Sequence, residues 1–465
     1  MLEIYFHQLH DHLRSLRFQA SLVVLLLFFV ANGVLYTFKA DRVDEETKRL
    51  ESENNRRYEE VTDLGSAVDA TYRFLLRPLG TEFISEGGAH WFYDTGFVTP
   101  ATGQGIAYLS RRAAVNHWMD RFELLDWTLI ARVVLSFLAL VLAYDGLSGE
   151  RERGTLSLML ANPLSRGSVL VGKFMAHLTV LVAALLLGTV VSLLILSLGD
   201  AVHLDGRVVA GCGLFLLGSA LYAALFLLIG LGVSALARTS ATSLVVLVLI
   251  WAVLIVALPQ AAYLIGVRAV STPEWDELDE NKEQVESALA REGIALRGRD
   301  AGRADNYVME KEWARRMAEG EKVRRQMYHG FEALETRQFE LTRSIALLSP
   351  GYAFQSALEA VLGTGLVRHL AFQSAFRNYL EVLRDFIRAR DAADAQSPHI
   401  LFVADYLSDR SLDHRDIPRF AGVKLTVADG IAGGWSPLAL LIAEATAAFF
   451  FALWAMNRAS VVDRG

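Results

Sequence analysis

Six apolar stretches set the terms on which this chain can fold: residues 18–38, 127–144, 169–198, 208–236, 243–267 and 437–456. A bilayer core about 30 Å thick needs roughly 20 mostly apolar residues of helix to cross it. Each stretch meets or nearly meets that length. Each must be helical, because unpaired backbone groups cannot face lipid. The third and fourth are long enough to tilt or to emerge from the membrane. The first follows a polar, weakly basic segment (residues 7–17), as a signal sequence would. It is longer than a signal core and lacks a small-x-small cleavage site, so it reads as a membrane helix.

Composition agrees with a hybrid of lipid-embedded and water-exposed parts. The 465 residues are 53% hydrophobic, too apolar for an ordinary soluble chain, yet 21% are charged. The net charge of −7 argues against a nucleic-acid partner, which favours a basic face. The single cysteine, Cys212, rules out an intrachain disulfide or a Cys-rich metal site; it sits in an apolar run and packs there as a small hydrophobe. The expected fold class is therefore an all-α polytopic membrane protein: six transmembrane helices and a mostly helical extracytoplasmic domain built from two insertions.

Six spans bring both termini to one side. The short segments on that side carry Arg14 and Arg17, then Arg151, Arg153, Arg166 and Lys173, then Arg238, then Arg458 and Arg464, whereas the short loop opposite (199–207) has one Arg. The excess of positive charge places the termini in the cytoplasm; the expected location is a bacterial inner membrane. The expected units are an N-terminal amphipathic helix with the first span (1–38), a first outer insertion (39–126), spans two to five (127–267), a second outer insertion (268–436), and the last span with a short tail (437–465).

The loop between spans two and three interrupts this pattern. It opens with Glu150, Arg151, Glu152 and Arg153, turns apolar, and breaks at Asn162-Pro163. Residues 150–160 are expected to form a short helix along the membrane surface, with Leu156, Met159 and Leu160 as its apolar stripe. The residue before a proline disfavours the α region, so the helix ends there, and Ser165 is placed to cap the next span. Two readings stand: a solvated connection whose charges fix topology, or a docking element at 149–163 for another protein.

Glu150, Gly154, Thr155, Leu156, Leu160, Pro163, Ser165 and Arg166, followed by Gly172-Lys173, resemble the signature of ABC-2 type transporter permeases. A second run, Leu348-Ser-Pro-Gly-Tyr-Ala-Phe-Gln-Ser-Ala-Leu with Gly363-Thr364, His369, Phe372 and Tyr379, and Asp416-Ile-Pro-Arg-Phe420 beyond, resembles members with a large outer domain between spans five and six. The resemblance implies a permease half that pairs with a second half, identical or paralogous, and binds a cytoplasmic ATPase dimer. It implies that the helix after span two couples to that ATPase, through Glu150, Arg151, Glu152, Arg153, Gly154, Thr155, Leu156, Met159, Leu160, Pro163 and Arg166. No GxxxxGK[ST] loop is present, so ATP and Mg²⁺ are expected on the partner, with no cofactor and no catalytic group in this chain.

Other features carry weaker expectations. Gly211, Gly213, Gly230 and Gly232 lie inside spans, where small residues permit close helix packing. Residues 2–16 read as an amphipathic helix on the cytoplasmic leaflet, with Leu2, Phe6, Leu9, Leu13 and Leu16 toward lipid; His7, His10 and His12 do not share one face. Arg132 and Glu444 are ionisable groups inside spans and candidates for a translocation path, as a pair or singly; His177 is a weaker one. Pro259 is expected to kink or end span five. Residues 41–64 should prolong the first helix beyond the bilayer. Phe372, Phe376, Tyr379, Leu383 and Phe386 recur at core-like spacing, and 80–105 reads as loop or short strand. His90, His117, His369, His399 and His414 are scattered, and no metal site is assigned. Three functional classes fit: a transporting permease, an ATP-driven transmitter of force to a periplasmic partner, or a membrane-anchored scaffold.

Overall fold

The computed structural model describes residues 2–86, 95–101, 103–107, 125–155, 165–272, 280, 284, 287, 288, 291, 306–400, 404–423 and 427–459. All six apolar stretches are helices long enough to cross a membrane. Helix α1 (Leu2–Arg14) breaks at Ser15, whose hydroxyl caps α2 by accepting from the Phe18 amide. Helix α2 (Leu16–Glu60) then runs unbroken for 45 residues, about 67 Å at 1.5 Å per residue. Its apolar half forms the first span; its charged half, free of glycine, continues as helix beyond it.

Span two starts at Asp126, which caps α4 (Trp127–Leu129, a π-helical turn Ile130–Leu135, then Ser136–Ala143). A turn and the short α5 (Ser148–Glu152) follow. Spans three and four are α6 (Arg166–Leu198) and α7 (Gly206–Leu236), joined by a tight loop. Span five is α8 (Ser240–Trp251, a second π-helical turn Ala252–Ala257, then Leu258–Ala269), and the last span lies in α12 (Val427–Arg458). Gly230 lets α7 approach α4: a Cβ there would lie 2.6 Å from that of Ala143. This is the packing role expected of span glycines. Trp127, near a predicted span end, is fully buried and donates to Ser192 Oγ at 3.0 Å.

The two insertions share one core. Helix α3 (Leu64–Asp69) and an antiparallel sheet of β1 (Tyr72–Leu75), β2 (Thr95–Thr99) and β3 (Gly103–Ala107) come from the first. Helix α11 (Leu366–Ala392) comes from the second. Phe372, Phe376, Tyr379 and Leu383 of α11 are buried against Tyr58 and Val61 at the end of α2 and Tyr72 and Val98 of the sheet. Tyr58 and Tyr379 bond hydroxyl to hydroxyl at 2.6 Å, and Tyr379 donates onward to the Pro418 carbonyl at 3.0 Å. Loop or short strand is expected for 80–105, and β2 and β3 lie at its end; β1 is not expected, because its Tyr-Arg-Phe-Leu run is too short to declare a period.

Part of the second insertion returns to the bundle. Helix α9 (Asn306–Ala346) runs back antiparallel to the far half of span five, with Gln338 donating to the Val270 carbonyl and Thr342 against Gly266. The chain turns at Ser349, level with Leu254 in the middle of span five, and α10 (Pro350–Leu362) climbs out between α7 and α12. Phe354 stacks on Tyr222, with ring centroids 4.7 Å apart. Residues 347–362 thus fill the centre of the membrane bundle rather than lying beyond it.

Candidate functional site

One end of the bundle gathers the loop signature, α1 and the ends of all six spans. The turn after α4 is fixed by Ser234 of span four, whose hydroxyl accepts from the Leu147 and Ser148 amides at 3.1 and 3.0 Å. From there the charged run is tied inward. Glu150 pairs with Lys173 of span three, and that ammonium also donates to Gln8 of α1 at 3.0 Å. Arg151 donates to the Ala235 and Ala237 carbonyls at the end of span four, 2.6 Å for the first. Glu152 accepts from the amide and hydroxyl of Ser240, the first residue of span five, at 2.9 and 2.8 Å. Two hydrogen bonds from that residue hold the exposed Glu152 carboxyl below the usual range. Arg153 folds back onto the Gly149 carbonyl at 3.0 Å, and Thr155 donates to the Glu150 carbonyl at 3.2 Å.

The helix expected over 150–160 is interrupted. Helix α5 closes at Glu152, and Gly154 has φ of +74°, a conformation a side chain resists. Leu156, Met159, Leu160 and Pro163 lie outside the described residues. Ser165 caps α6 as expected, accepting from the Ser168 amide at 3.1 Å. Arg166 turns to the C-terminus of the last span and donates to the carbonyls of Met456, Asn457 and Ala459 at 3.1, 2.9 and 3.0 Å. A guanidinium there satisfies orphan carbonyls and complements the negative end of the helix dipole. Arg17 of α2 pairs with Asp145 and lies over the Tyr144 ring. Side chains and amides of residues 147–152 are thus bonded to spans three, four and five. Exposed Glu152, Arg153, Gly154 and Thr155 form the surface that faces outward.

Residues 167–173, Gly-Ser-Val-Leu-Val-Gly-Lys, match the first seven positions of a phosphate-binding loop. Phe174 stands where that loop needs a hydroxyl, and the stretch is the first two turns of α6 rather than a loop that wraps a phosphate.

A second polar region lies at the centre of the bundle. In the π-helical turn of span five the Leu254 carbonyl would take its hydrogen bond from residue 259. That residue is Pro259, which has no N–H; Ser349 donates its hydroxyl instead, at 2.6 Å. Pro259 thus does not end span five, which continues as helix to Ala269, the wider turn and a borrowed hydroxyl accommodating it. In span two the Arg132 carbonyl is similarly left by the π-helical turn and accepts from Ser136 Oγ at 2.6 Å and Tyr222 Oη at 2.9 Å. Trp251 Nε1 donates to Ser136 Oγ at 2.9 Å, linking the two turns.

The Arg132 side chain donates to Gln355 of α10, which donates to Glu359 at 2.6 Å. Glu444 lies in the last span with one carboxylate oxygen buried and unbonded; among the described residues Arg132 and Glu444 form no ion pair. The sequence marks Arg132 and Glu444 as ionisable groups inside spans, carries Ser349 and Gln355 only within the 348–358 run expected outside the membrane, and singles out neither Glu359 nor Tyr222. The usable signal was Pro259: a proline inside a span requires a hydroxyl or other donor nearby. His177 is buried, its ring nitrogens 2.7 and 3.0 Å from the Lys173 and Leu142 carbonyls, and serves to join spans three and two.

Fold and end face together define a multi-pass membrane protein of the permease class. The chain belongs to the ABC-2 family of transporter proteins, whose family model matches residues 2–461. It is also similar to two curated proteins, each described as a probable ABC transporter permease protein NosY. The one from Pseudomonas aeruginosa is 36% identical over 100 residues, and the one from Stutzerimonas stutzeri 40% over 99. Each match covers 21% of this chain and 36% of the relative, so the chain spans about a third of the length of the curated relatives it matches.

Proposed function

We propose that this chain is the membrane subunit of an ABC transporter in a bacterial inner membrane, its termini in the cytoplasm. It pairs with a second half, identical or paralogous, and is driven by a separate cytoplasmic ATPase dimer that binds ATP and Mg²⁺. The supporting observation is the end face: an exposed surface at 152–155 on a segment tied by side chains to spans three, four and five. Arg153 and Thr155 are the residues to test. Their outward parts are exposed, whereas Glu150 is committed to Lys173. Arg153→Glu with Thr155→Glu should abolish co-purification of ATP-hydrolysing activity with the tagged chain while leaving its melting temperature unchanged. Retention of that activity on the double variant would remove the ATPase-coupling role from this segment.

A second reading has its own support. Helix α2 leaves the bundle unbroken and ends in a core shared by both insertions. Such a continuous element fits ATP-driven work on a periplasmic partner as well as export of a substrate.

A further inference from the structure

A cavity of about 970 Å³ lies at the end of the bundle opposite residues 148–155. That is the upper end of the roughly 300–1,000 Å³ range of ligand pockets. It is enclosed by the outer half of α2, β1 and the strand's exit, the first two turns of α7, the junction of α10 with α11, and residues 419–423. Its two ends differ in chemistry. Five arginines line it, Arg73, Arg77, Arg207, Arg368 and Arg419, against one lining carboxylate, Glu51. Three of these cations are engaged: Arg77 with Glu51, Arg368 with Glu82, and Arg419 with Asn55 and the face of Tyr58. Arg73 and Arg207 are exposed, and among the described residues neither guanidinium has a hydrogen-bonding or carboxylate partner.

The other end is apolar. Leu214, Val361, Leu362 and Val367 line it, and Leu214 and Val361 are also open to the outside of the bundle. With the apolar run from Val208 taken as the span, Arg207 falls at the level of lipid headgroups. Leu214, seven residues on, stands about 10 Å deeper, among acyl chains. A water-soluble anion would leave the apolar arm empty. A zwitterionic lipid would bring a cation to a cluster already rich in them.

We propose that this cavity binds one phosphate-headed, anionic acyl lipid from the surrounding leaflet. Arg73 and Arg207 take the phosphate, and the channel past Leu214 and Val361 takes an acyl chain. Guanidinium forks suit phosphate, and the arginines sit where a headgroup resides. The site is distinct from the end face assigned to the ATPase and does not depend on transport.

The test uses the full-length chain, purified in detergent and stripped of bound lipid. Binding of dioctanoyl phosphatidylglycerol, dioctanoyl phosphatidylcholine and inorganic phosphate is measured by native mass spectrometry and calorimetry. One phosphatidylglycerol per chain is expected, bound at least about tenfold more tightly than either competitor. Arg73→Gln with Arg207→Gln should cost about tenfold or more for phosphatidylglycerol, the scale of lost charge-assisted contacts. Val361→Trp should weaken the lipid by obstructing the apolar arm. Equal binding of phosphatidylcholine would overturn the anionic headgroup, and inorganic phosphate binding as well as the lipid would overturn the acyl chain. If the arginine double variant does not fold, the three-ligand comparison on the unaltered protein still decides.

Discussion

Lys173 is 1% exposed, yet it lies at the membrane end of span three with a charged partner, Glu150, on the preceding loop. Removing one member of a buried pair strands the other charge. Lys173→Met should therefore destabilise the protein by about 3–5 kcal/mol, and adding Glu150→Gln should recover much of that loss, as read by denaturant unfolding in detergent. Full stability of Lys173→Met alone would mean that water reaches the pair.

Glu335, in the outer stretch of α9, gives a pH test. Burial first, and the neighbouring Glu332 second, push its carboxyl up to about 7. The folded state thus favours the protonated form. Stability from this group is complete below the unfolded value near 4.5 and is lost as pH rises through 7. Glu335→Gln should raise the melting temperature at pH 8 and leave it nearly unchanged at pH 4; an equal effect at both would exclude ionisation as the cause.

The individual residues were legible in the sequence to very different degrees. Arg132 and Glu444 stood out because charge inside an apolar run is costly and visible. Gln355 and Glu359 sit in an amphipathic segment whose pattern matches a water-exposed helix, so nothing in it announces the bundle centre. Glu150 through Arg153 read as a charged surface, but partner choice depends on where spans four and five end, which no local pattern reveals.

At the scale of elements, two π-helical turns and the α9–α10 hairpin make one unit. Ser349 compensates for what Pro259 lacks, which a double-mutant cycle can establish. Ser349→Ala should orphan the Leu254 carbonyl and cost about 1–3 kcal/mol. Pro259→Ala restores a backbone N–H, so in that background Ser349→Ala should cost distinctly less. Additive losses would show that the serine and the proline act independently. The spans themselves were plain in the sequence, since length and hydropathy suffice. The return of 347–362 to the bundle was not, because α10 has 13 residues, too few to cross, and carries polar groups such as Gln355 and Glu359 that read as water-exposed.

At the scale of the whole molecule, the two insertions are one body. Residues far apart in the chain, Tyr58 and Tyr379 for example, close its core. The apolar stripe at 372–386 made the second insertion's core readable, whereas its partners on the first had no pattern strong enough to name. If ATP drives this body and the second half is a copy of this chain, the distance between the two copies should change with nucleotide. Spin labels at the exposed Ser52, with Cys212→Ser as background, should give distance distributions that shift by several Å between nucleotide-free and ATP-trapped assemblies with the ATPase. Coincident distributions would exclude transmission of motion through the outer domain.

The unbroken length of α2 has a mechanical consequence. A rigid rod of about 67 Å pivoting at its membrane entry acts as a lever, and a tilt of about 5° sweeps its tip through about 6 Å. If an ATPase moves the N-terminal end of this helix, the displacement at the opposite end would be larger than the one applied.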